Sequence, residues 1–292
     1  MANSETESLF MDALRAVMPF SYGMEAFFRS FGFALGSTDS PRQCFDLSIT
    51  SENIAKIRFS VNDFACKGRL MPIIWAEMRR LGRYDMPVFR EYCAFLGELS
   101  QFDVGIQWKN GENAPIIKIY HEETADVPVF FEKDENRRRF AALFGLESMP
   151  DYNPDIVCAD FFPGGGTDVK FYAANIVLSE KMPAGFRFPV HYAEPPCFYF
   201  VMDGLISGRR KYYMAYPPET VNNPVPDMYE ICRMMSSVGG TTALRVIGEW
   251  VKIASKYGCK VSPTLFSVSD NGILSAYCRF ADSKLILRGK SK

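Results

Sequence analysis

Hydrophobic and polar residues alternate along short stretches of this chain, and the stretches come in pairs. In Phe45–Ile49 the odd-numbered residues are apolar and the even-numbered ones polar, and Ile57–Val61 repeats the order. Strict alternation over four to eight residues is typical of a β-strand with one apolar and one polar face. Five pairs of strand-like stretches, each pair joined by a turn, are predicted. They lie at 44–50 with 55–61, 101–109 with 115–123, 155–162 with 168–176, 197–203 with 209–216, and 262–269 with 273–281.

Segments with helical periodicity separate these strand pairs. Their apolar residues recur three and four positions apart, which indicates amphipathic helices. Helices are predicted over 70–81, 88–99, 135–146, 227–235 and 241–257, and an N-terminal helix over roughly 5–31. No stretch rich in proline, glycine or serine divides the chain, so we expect residues 1–292 to form a single domain.

Ten strands joined mainly by hairpins and flanked by helices predict a closed barrel, because closure removes exposed strand edges. The apolar face of each strand would then meet the helices outside, and the polar face would line the lumen. The expected fold class is α+β: a ten-stranded antiparallel closed barrel of five ββα repeats with the helices outside. Periodicity alone leaves one alternative open, an antiparallel sheet whose polar face simply meets water.

Composition narrows the classes of partner. The 292 residues are 48% hydrophobic and carry 33 basic and 34 acidic side chains, so no net field favours nucleic acid or an anionic membrane. The N-terminus is polar, no apolar run approaches membrane-spanning length, and the eight cysteines show no metal-ligand or disulfide spacing. We therefore expect a cytoplasmic monomer without nucleic-acid or membrane partners.

The second strand of three pairs carries the same triplet, a lysine and a tyrosine two positions apart. The triplets are Lys118-Ile119-Tyr120, Lys170-Phe171-Tyr172 and Lys211-Tyr212-Tyr213, and Arg58 has the comparable place in the first pair. A period of two puts each lysine and its tyrosine on one face of the strand. Several cations in one lumen are costly without an anion, and a diphosphate would supply it. A solvated strand face is the alternative interpretation of each lysine.

These motifs resemble the ABBA (αββα) aromatic prenyltransferases over nearly the whole chain. The hairpin of Phe45–Ile49 and Ile57–Val61 looks like the first hairpin of the fungal dimethylallyltryptophan synthase-type enzymes. The pair Asp155–Phe162 and Val169–Tyr172 looks like the central hairpin of the bacterial enzymes acting on phenols, naphthols and phenazines. The resemblance implies transfer of a dimethylallyl or geranyl group from an allylic diphosphate to a phenol, naphthol, phenazine or indole.

The resemblance also implies roles for individual residues. The expected diphosphate-binding set is Arg58, Lys118, Lys170, Lys211, Tyr120, Tyr172 and Tyr213. Tyr199 and Tyr277 would shield the allylic cation. The resemblance does not fix the acceptor pocket, for which Asp103, Gln107, Cys158, Asp160 and Phe266 on the first strands of the pairs are candidates. Asp46 stands where the indole enzymes carry a catalytic glutamate and would accept a proton, unless it only pairs with Arg58 across the hairpin.

The same comparison predicts that no metal cofactor is needed. The chain has no Asp-Asp-x-x-Asp motif, and Arg58 stands where some bacterial members bind Mg²⁺ through an aspartate. Two alternative functions stay open at this point. One is a non-catalytic barrel that binds a hydrophobic or isoprenoid ligand, and the other is a structural β-protein whose lysine and tyrosine faces meet solvent.

Overall fold

Ten strands and six helices make up the described structure, a computed structural model. It describes residues 2–17, 44–50, 55–62, 70–81, 84–96, 103–109, 114–121, 126–174, 198–215 and 241–281. The strands are β1 Cys44–Thr50, β2 Ala55–Asn62, β3 Asp103–Lys109, β4 Ile116–His121, β5 Ile156–Phe161, β6 Thr167–Ala174, β7 Phe198–Gly204, β8 Arg210–Ala215, β9 Lys260–Ser269 and β10 Leu274–Ala281.

Each strand pairs antiparallel with its neighbour in sequence, from β1 through β10. β1 also pairs antiparallel with β10, with Leu47 opposite Cys278 and Ser48 opposite Tyr277, so the ten strands form a closed barrel. The β9–β10 register shifts once, between Tyr277 and Cys278. The antiparallel sheet predicted from the alternating pattern is therefore confirmed, with strand bounds within a few residues of those expected.

The helices are α1 Ala2–Val17, α2 Leu70–Leu81, α3 Met86–Leu96, α4 Asp126–Phe131, α5 Asp134–Phe144 and α6 Thr241–Lys256. Of the predicted helices, the one over 70–81 has the expected bounds, and three others agree to within three residues. The short α4 was not predicted, because six residues are too few for a helical period to show. The predicted helix over 227–235 and the part of the N-terminal helix beyond residue 17 lie outside the described residues.

The apolar face of each strand packs against the helices. The ring of Phe161 on β5 lies 5.0 Å from Phe89 on α3, and Phe171 on β6 lies 5.1 Å from Phe131 on α4. On the far side of the barrel, Trp250 of α6 stacks on Phe280 of β10 at 4.6 Å. These side chains belong to one large buried apolar cluster. The hydrophobic core therefore lies between the outer surface of the barrel and the helices around it.

Glycines in left-handed conformations form two of the sharp chain reversals. Gly145 ends α5 with φ 63°, and its N–H donates to the carbonyl of Ala142. Gly272 has φ 80° in the turn between β9 and β10, where it follows Asn271. A residue with a Cβ is strained at such φ values, so these positions favour glycine.

None of the helices in the described ranges is long and apolar enough to cross a membrane. That residues 1–292 form a single domain stays a prediction.

Candidate active site

The side chains opposite the helix-packed face point into the barrel. Ile117 and Ile119 of β4 belong to the outer apolar cluster, so Lys118 and Tyr120 between them take the inner face. The same reasoning places Cys158 and its neighbour two residues on, Asp160, on the inner face of β5. It also places residues 168, 170 and 172 on the inner face of β6. The polar face predicted to line the lumen is therefore the inner face in this structure.

The strand register groups inner-face residues into rows that run across neighbouring strands. One row runs Gly105, Lys118, Asp160 and Asp168, and the next runs Asp103, Tyr120, Cys158, Lys170 and Gly204. A third row carries Tyr172, Met202, Lys211 and Ser269, and a fourth carries Phe200, Tyr213, Ser267 and Ser275. Charged residues dominate the first two rows, whereas aromatic rings and hydroxyl groups fill the fourth.

Lys118 and Lys170 share one carboxylate. Lys118 Nζ donates to Asp160 Oδ2 at 2.7 Å, and Lys170 Nζ donates to the same oxygen. Cys158 Sγ donates to the other oxygen, Oδ1, at 3.3 Å. The side chains of Lys118 and Asp160 are only 5% and 3% exposed, and that of Lys170 is 15% exposed. Two cations and one anion are thus held out of water together.

Burial and the local charges shift the pKa of each member of this group. Burial lowers the pKa of Lys118 to about 8. The attraction of Asp160 opposes this shift, but the ammonium group of Lys170 cancels part of that attraction. Burial also disfavours the charge of Lys170, but Asp160, Cys158 and Asp168 outweigh it and raise the pKa of Lys170. Burial opposes the charge of Asp160 as well, and the two lysines together hold the pKa of that carboxyl well below its usual range. Lys118 is therefore the ammonium group that is more easily deprotonated.

The thiol and phenol groups around this cluster remain protonated at neutral pH. Burial, with the nearby Asp160 charge, raises the pKa of the Cys158 thiol. Burial among other phenols raises the pKa of Tyr172 in the same way. A protonated, buried thiol is a poor nucleophile, so Cys158 does not suit covalent catalysis.

A second carboxylate, Asp168, lies beside the cluster. It is buried, and its Oδ1 accepts a hydrogen bond from the backbone N–H of Ser207 at 3.2 Å. Gly204, opposite Lys170 in the β6–β7 register, leaves room for it, because a Cβ at Gly204 would collide with Ser207 Oγ and lie 3.2 Å from Asp168 Oδ2. The glycine therefore leaves room for the carboxylate that ends the neighbouring row, which contains Lys118 and Asp160.

Aromatic rings form a continuous wall beyond the charged rows. Tyr172 lies 6.2 Å from Phe200, and Phe200 stacks on Tyr213 with ring centroids 4.6 Å apart and planes 6° apart. Tyr213 in turn lies 6.1 Å from Tyr277. The faces of aromatic rings attract a cation without offering it a reactive lone pair. This wall can therefore surround a carbocation next to a cluster of ammonium groups.

Small hydroxyl residues line the inner face beside the aromatic wall. Ser267 and Ser275 lie directly opposite each other on β9 and β10, and both are buried. Within the described part of the chain, neither hydroxyl has a hydrogen-bond partner. Thr50 of β1 lies opposite Ser275 and is also buried.

The structure brings most of the predicted site residues to the inner face. The triplet residues Lys118, Tyr120, Lys170, Tyr172 and Tyr213 lie there, as do Lys211, Tyr277 and Asp103. Lys211 is half-buried, and no ion-pair partner for it is found among the described residues.

The strand register alone places Asp46 and Arg58. They lie directly opposite each other on β1 and β2, at inner-face positions, but their side chains are not described. Gln107 lies next to Arg58 on β3. Catalysis by Asp46 and pairing with Arg58 are both compatible with this register, so the role of Asp46 stays a prediction.

One predicted pocket residue lies on the other face, and a second has its register position there. Phe266 was expected in the acceptor pocket, but it is opposite Ala276 and belongs to the outer apolar cluster. The backbone position of Tyr199 is opposite Met214, one position out of step with the stacked inner pair Phe200 and Tyr213, and its side chain is not described. A shift of one residue moves a side chain to the opposite face. Phe200 therefore takes the inner position that the prediction gave to Tyr199.

The pairing of Asp160 with the lysines was not predicted. The lysines were expected to form an uncompensated ring of cations, whereas Asp160 pairs with two of them. The signal was present, since Asp160 is on the strand between those of Lys118 and Lys170 and two residues from Cys158 on the same face. Recognising it required the registers of three strands at once.

Among residues of the described ranges, no group of three or more His, Cys, Asp or Glu side chains is arranged to hold a metal ion. The expectation that turnover needs no metal stays a prediction.

Comparisons with known proteins give the fold its context. No protein-family model matches the chain, and no curated protein matches it by sequence. The chain is similar in structure to the prenyltransferase PriB, solved as a ternary complex with L-tryptophan and dimethylallyl thiolodiphosphate. The TM-score is 0.63 and the identity 11%, over 96% of each chain.

Two further solved structures show the same likeness. One is a 6-dimethylallyl tryptophan synthase, with a TM-score of 0.63 and 10% identity over 94% of each chain. The other is the NotF prenyltransferase, with a TM-score of 0.56 and 15% identity over 95% of this chain and 93% of that one. The resemblance to the ABBA prenyltransferases is thus confirmed at the level of the fold, and the chain has the architecture of that class.

Proposed function

We propose that this protein is an aromatic prenyltransferase. It would transfer a dimethylallyl or geranyl group from an allylic diphosphate to an electron-rich phenol, naphthol, phenazine or indole. The observation that carries the proposal is the adjacency of two features on one inner wall: the buried ammonium pair of Lys118 and Lys170, and the aromatic run that begins at Tyr172. The solved neighbours include a complex with a prenyl diphosphate analogue and an aromatic amino acid, which supports the proposal.

The ammonium groups suit the departing diphosphate. When the allylic C–O bond breaks, its electron pair leaves with the diphosphate, and charge builds up on the phosphate oxygens. Lys118, Lys170 and Lys211, with Arg58, would stabilise that charge, and the phenols of Tyr120, Tyr172 and Tyr213 would donate hydrogen bonds to it. Such donors act more strongly where water is excluded, as it is around the shared carboxylate.

The aromatic wall suits the allylic cation. Tyr172, Phe200, Tyr213 and Tyr277 present ring faces in sequence along the inner surface. A carbon–carbon bond would form between the allylic carbon and the aromatic acceptor, and the acceptor ring would then lose a proton. Asp46, at an inner position of β1, is the proposed base for that proton.

We propose that the reaction needs no divalent metal, because Arg58 stands at the inner-face position where a guanidinium can supply fixed positive charge. The partners would be the allylic diphosphate and a small aromatic acceptor, with the protein acting as a monomer.

The test is incubation with dimethylallyl and geranyl diphosphate, a panel of hydroxynaphthalenes, phenols, phenazines and indoles, and EDTA, followed by mass measurement. A product heavier by one prenyl unit in EDTA supports both the transfer and its independence of metal. Product that appears only after Mg²⁺ is added would keep the transfer and overturn the metal-free proposal. No product and no binding of a thiolodiphosphate analogue would leave a ligand-binding barrel as the better interpretation.

Variants of the ammonium pair make the test specific. Lys170→Met keeps the length of the side chain but removes its charge. It should abolish product formation, because the departing diphosphate loses an ammonium group that stabilises it. Lys252→Met is the matched control: this exposed lysine pairs with Glu249 on α6, away from the inner face, and its loss should leave turnover unchanged.

A further inference from the structure

Asp160 connects the two buried lysines, whereas the sequence suggests it as an acceptor-pocket residue. We propose that Asp160 is a positioning residue that holds the ammonium groups of Lys118 and Lys170 in the arrangement that receives a diphosphate, and that it stays in place when the diphosphate binds. This inference rests on the proposed function, because it concerns the anion site of the proposed transferase.

Both oxygens of the Asp160 carboxylate are occupied, so its orientation is fixed. Oδ2 accepts from Lys118 and Lys170, and Oδ1 accepts from the thiol of Cys158. Because two hydrogen bonds meet at one atom, the two Nζ atoms lie no more than about 6 Å apart. That spacing lets one diphosphate contact both ammonium groups.

The lysines retain donors that their described neighbours do not use. An ammonium group has three N–H donors. Within the described residues, Asp160 is the only hydrogen-bond acceptor of Lys118 Nζ and of Lys170 Nζ. Buried donors left without acceptors are costly. The remaining N–H groups therefore favour an anion with several oxygens on the open side of the pair.

The charge balance favours a carboxylate that stays. Two ammonium groups share one carboxylate, and the nearby Asp168 offsets their remaining charge while its Oδ1 accepts a hydrogen bond from the backbone N–H of Ser207. The unused N–H groups of the lysines therefore still suit an incoming anion. If a diphosphate displaced Asp160, the carboxylate would lose its bonds to Lys118, Lys170 and Cys158. It would then lie buried beside a second anion, which is strongly unfavourable.

Asp160→Glu separates positioning from charge. The longer side chain keeps the carboxylate but moves the lysine heads by roughly the length of one C–C bond, about 1.5 Å. Titration with inorganic pyrophosphate by calorimetry should show affinity reduced at least about ten-fold, since well-placed charge-assisted bonds are sensitive to such displacement. Asp203→Glu is the matched control, because the Asp203 carboxylate is also shared by two partners, Tyr152 and Arg210, but lies on the outer face. The pyrophosphate affinity of this variant should equal that of the unaltered protein.

Asp160→Asn provides a second readout, the pH profile of pyrophosphate binding. Without the carboxylate, each lysine faces the other cation, so the pH above which binding is lost should fall by at least about one unit. The other groups facing the pair are Asp103 of β3, Tyr120 of β4, Cys158 of β5, and Asp168 and Tyr172 of β6. Burial holds the thiol of Cys158 and the phenol of Tyr172 in their neutral forms over this range. A residue needed only for folding would lower the melting temperature without moving this profile.

Three results would overturn the inference. Unchanged pyrophosphate affinity in Asp160→Glu would mean that the carboxylate neutralises charge without positioning the lysines. Tighter binding in Asp160→Asn at pH 6.5 would mean that Asp160 competes with the diphosphate for the lysines. Failure of the unaltered protein to bind pyrophosphate would remove the anion site itself, and with it the proposed function, so the two failures are told apart.

Discussion

Replacing Lys118 by methionine tests the energetics of the buried cluster most directly. Lys118 is one of two cations that share a single carboxylate, and its side chain is 5% exposed. Methionine keeps a similar length and volume but carries no charge. Asp160 retains its pairing with Lys170 in this variant, so no buried carboxylate is left unpaired. We therefore expect Lys118→Met to stabilise the fold while it weakens binding of a diphosphate.

The magnitude follows from the pKa of Lys118. The folded protein lowers this pKa from 10.5 to about 8. A pKa change of one unit corresponds to about 1.4 kcal/mol, so a shift in this direction makes the charged form of Lys118 cost the folded state on the order of a few kcal/mol. That cost is net of the attraction of Asp160, which favours the charged form. The free energy of unfolding should rise by about 1–3 kcal/mol in Lys118→Met at pH 6.5.

The direction of the pKa shift of Lys118 determines how the free energy of unfolding changes with pH. Because the folded pKa lies below the unfolded one, the destabilising contribution of Lys118 is fully present below about pH 8 and disappears as the pH rises toward 10.5. The unaltered protein should therefore gain stability over that interval from this site. Lys118→Met lacks the titrating group, so the difference between the two proteins should shrink toward zero by about pH 10.5.

Urea denaturation followed by circular dichroism at pH 6.5 and pH 10 measures the difference in the free energy of unfolding between the two proteins and its change with pH. Pyrophosphate titration of the same variant should show affinity reduced at least about ten-fold, because a charge-assisted donor is lost. Lys252→Met, at the exposed pair with Glu249, should change stability by less than about 0.5 kcal/mol at either pH. A loss of more than about 1 kcal/mol in Lys118→Met at pH 6.5 would refute the reasoning, since it would show the ion pair to be net stabilising.

Three further predictions concern residues outside the ammonium pair itself. Ser275→Ala and Ser267→Ala should leave the melting temperature unchanged or raise it, because each removes a buried hydroxyl without a described partner; a marked fall in either variant would contradict this. Arg137→Ala should lower the free energy of unfolding by about 2–3 kcal/mol in urea denaturation, because Arg137 donates to the carbonyl of residue 150 and to the side-chain oxygen of residue 153. The control Arg138→Ala, at an exposed arginine, should lower it by less than about 0.5 kcal/mol. Equal losses in the two variants would show that these hydrogen bonds do not stabilise the fold. Gly204→Ala should lower the melting temperature, because the added Cβ meets Ser207 and approaches the Asp168 carboxylate; an unchanged melting temperature would show that the turn yields freely.

The strands could be predicted because their alternation is local. Five residues are enough to assign the two faces of each strand in Phe45–Ile49 and Ile57–Val61, because apolar and polar residues alternate in both. The alternation arises because one face of each strand is buried against helices. The structure keeps the predicted faces of Lys118, Lys170 and Tyr213. By contrast, no local pattern marks the short helix α4, nor the hydrogen bonds that Arg137 donates to backbone carbonyls of the following loop.

One error of face arose where alternation is absent from the sequence. In Phe198–Val201 every residue is apolar or aromatic, so nothing local distinguishes Tyr199 from Phe200. The face is set by pairing with β8, where Phe200 lies opposite Tyr213. Such a choice depends on the neighbouring strand and not on the strand itself. Phe266 was misplaced for a different reason, since the alternation of residues 266–269 puts it on the apolar face with Val268 and the prediction did not use that pattern.

The internal counter-ion changes what a ring of cations implies about function. Several buried lysines were expected to need an anionic ligand, but Asp160 pairs with two of them. Lysines buried on one inner face need a counter-ion from the chain itself, and Asp160 supplies it. What then indicates a ligand is the excess of donors over acceptors: two ammonium groups with six N–H donors face one carboxylate whose second oxygen is taken by Cys158. By this reasoning, the aspartate on the strand between two lysine-bearing strands is part of the anion site, and the number of lysines alone is not the signal.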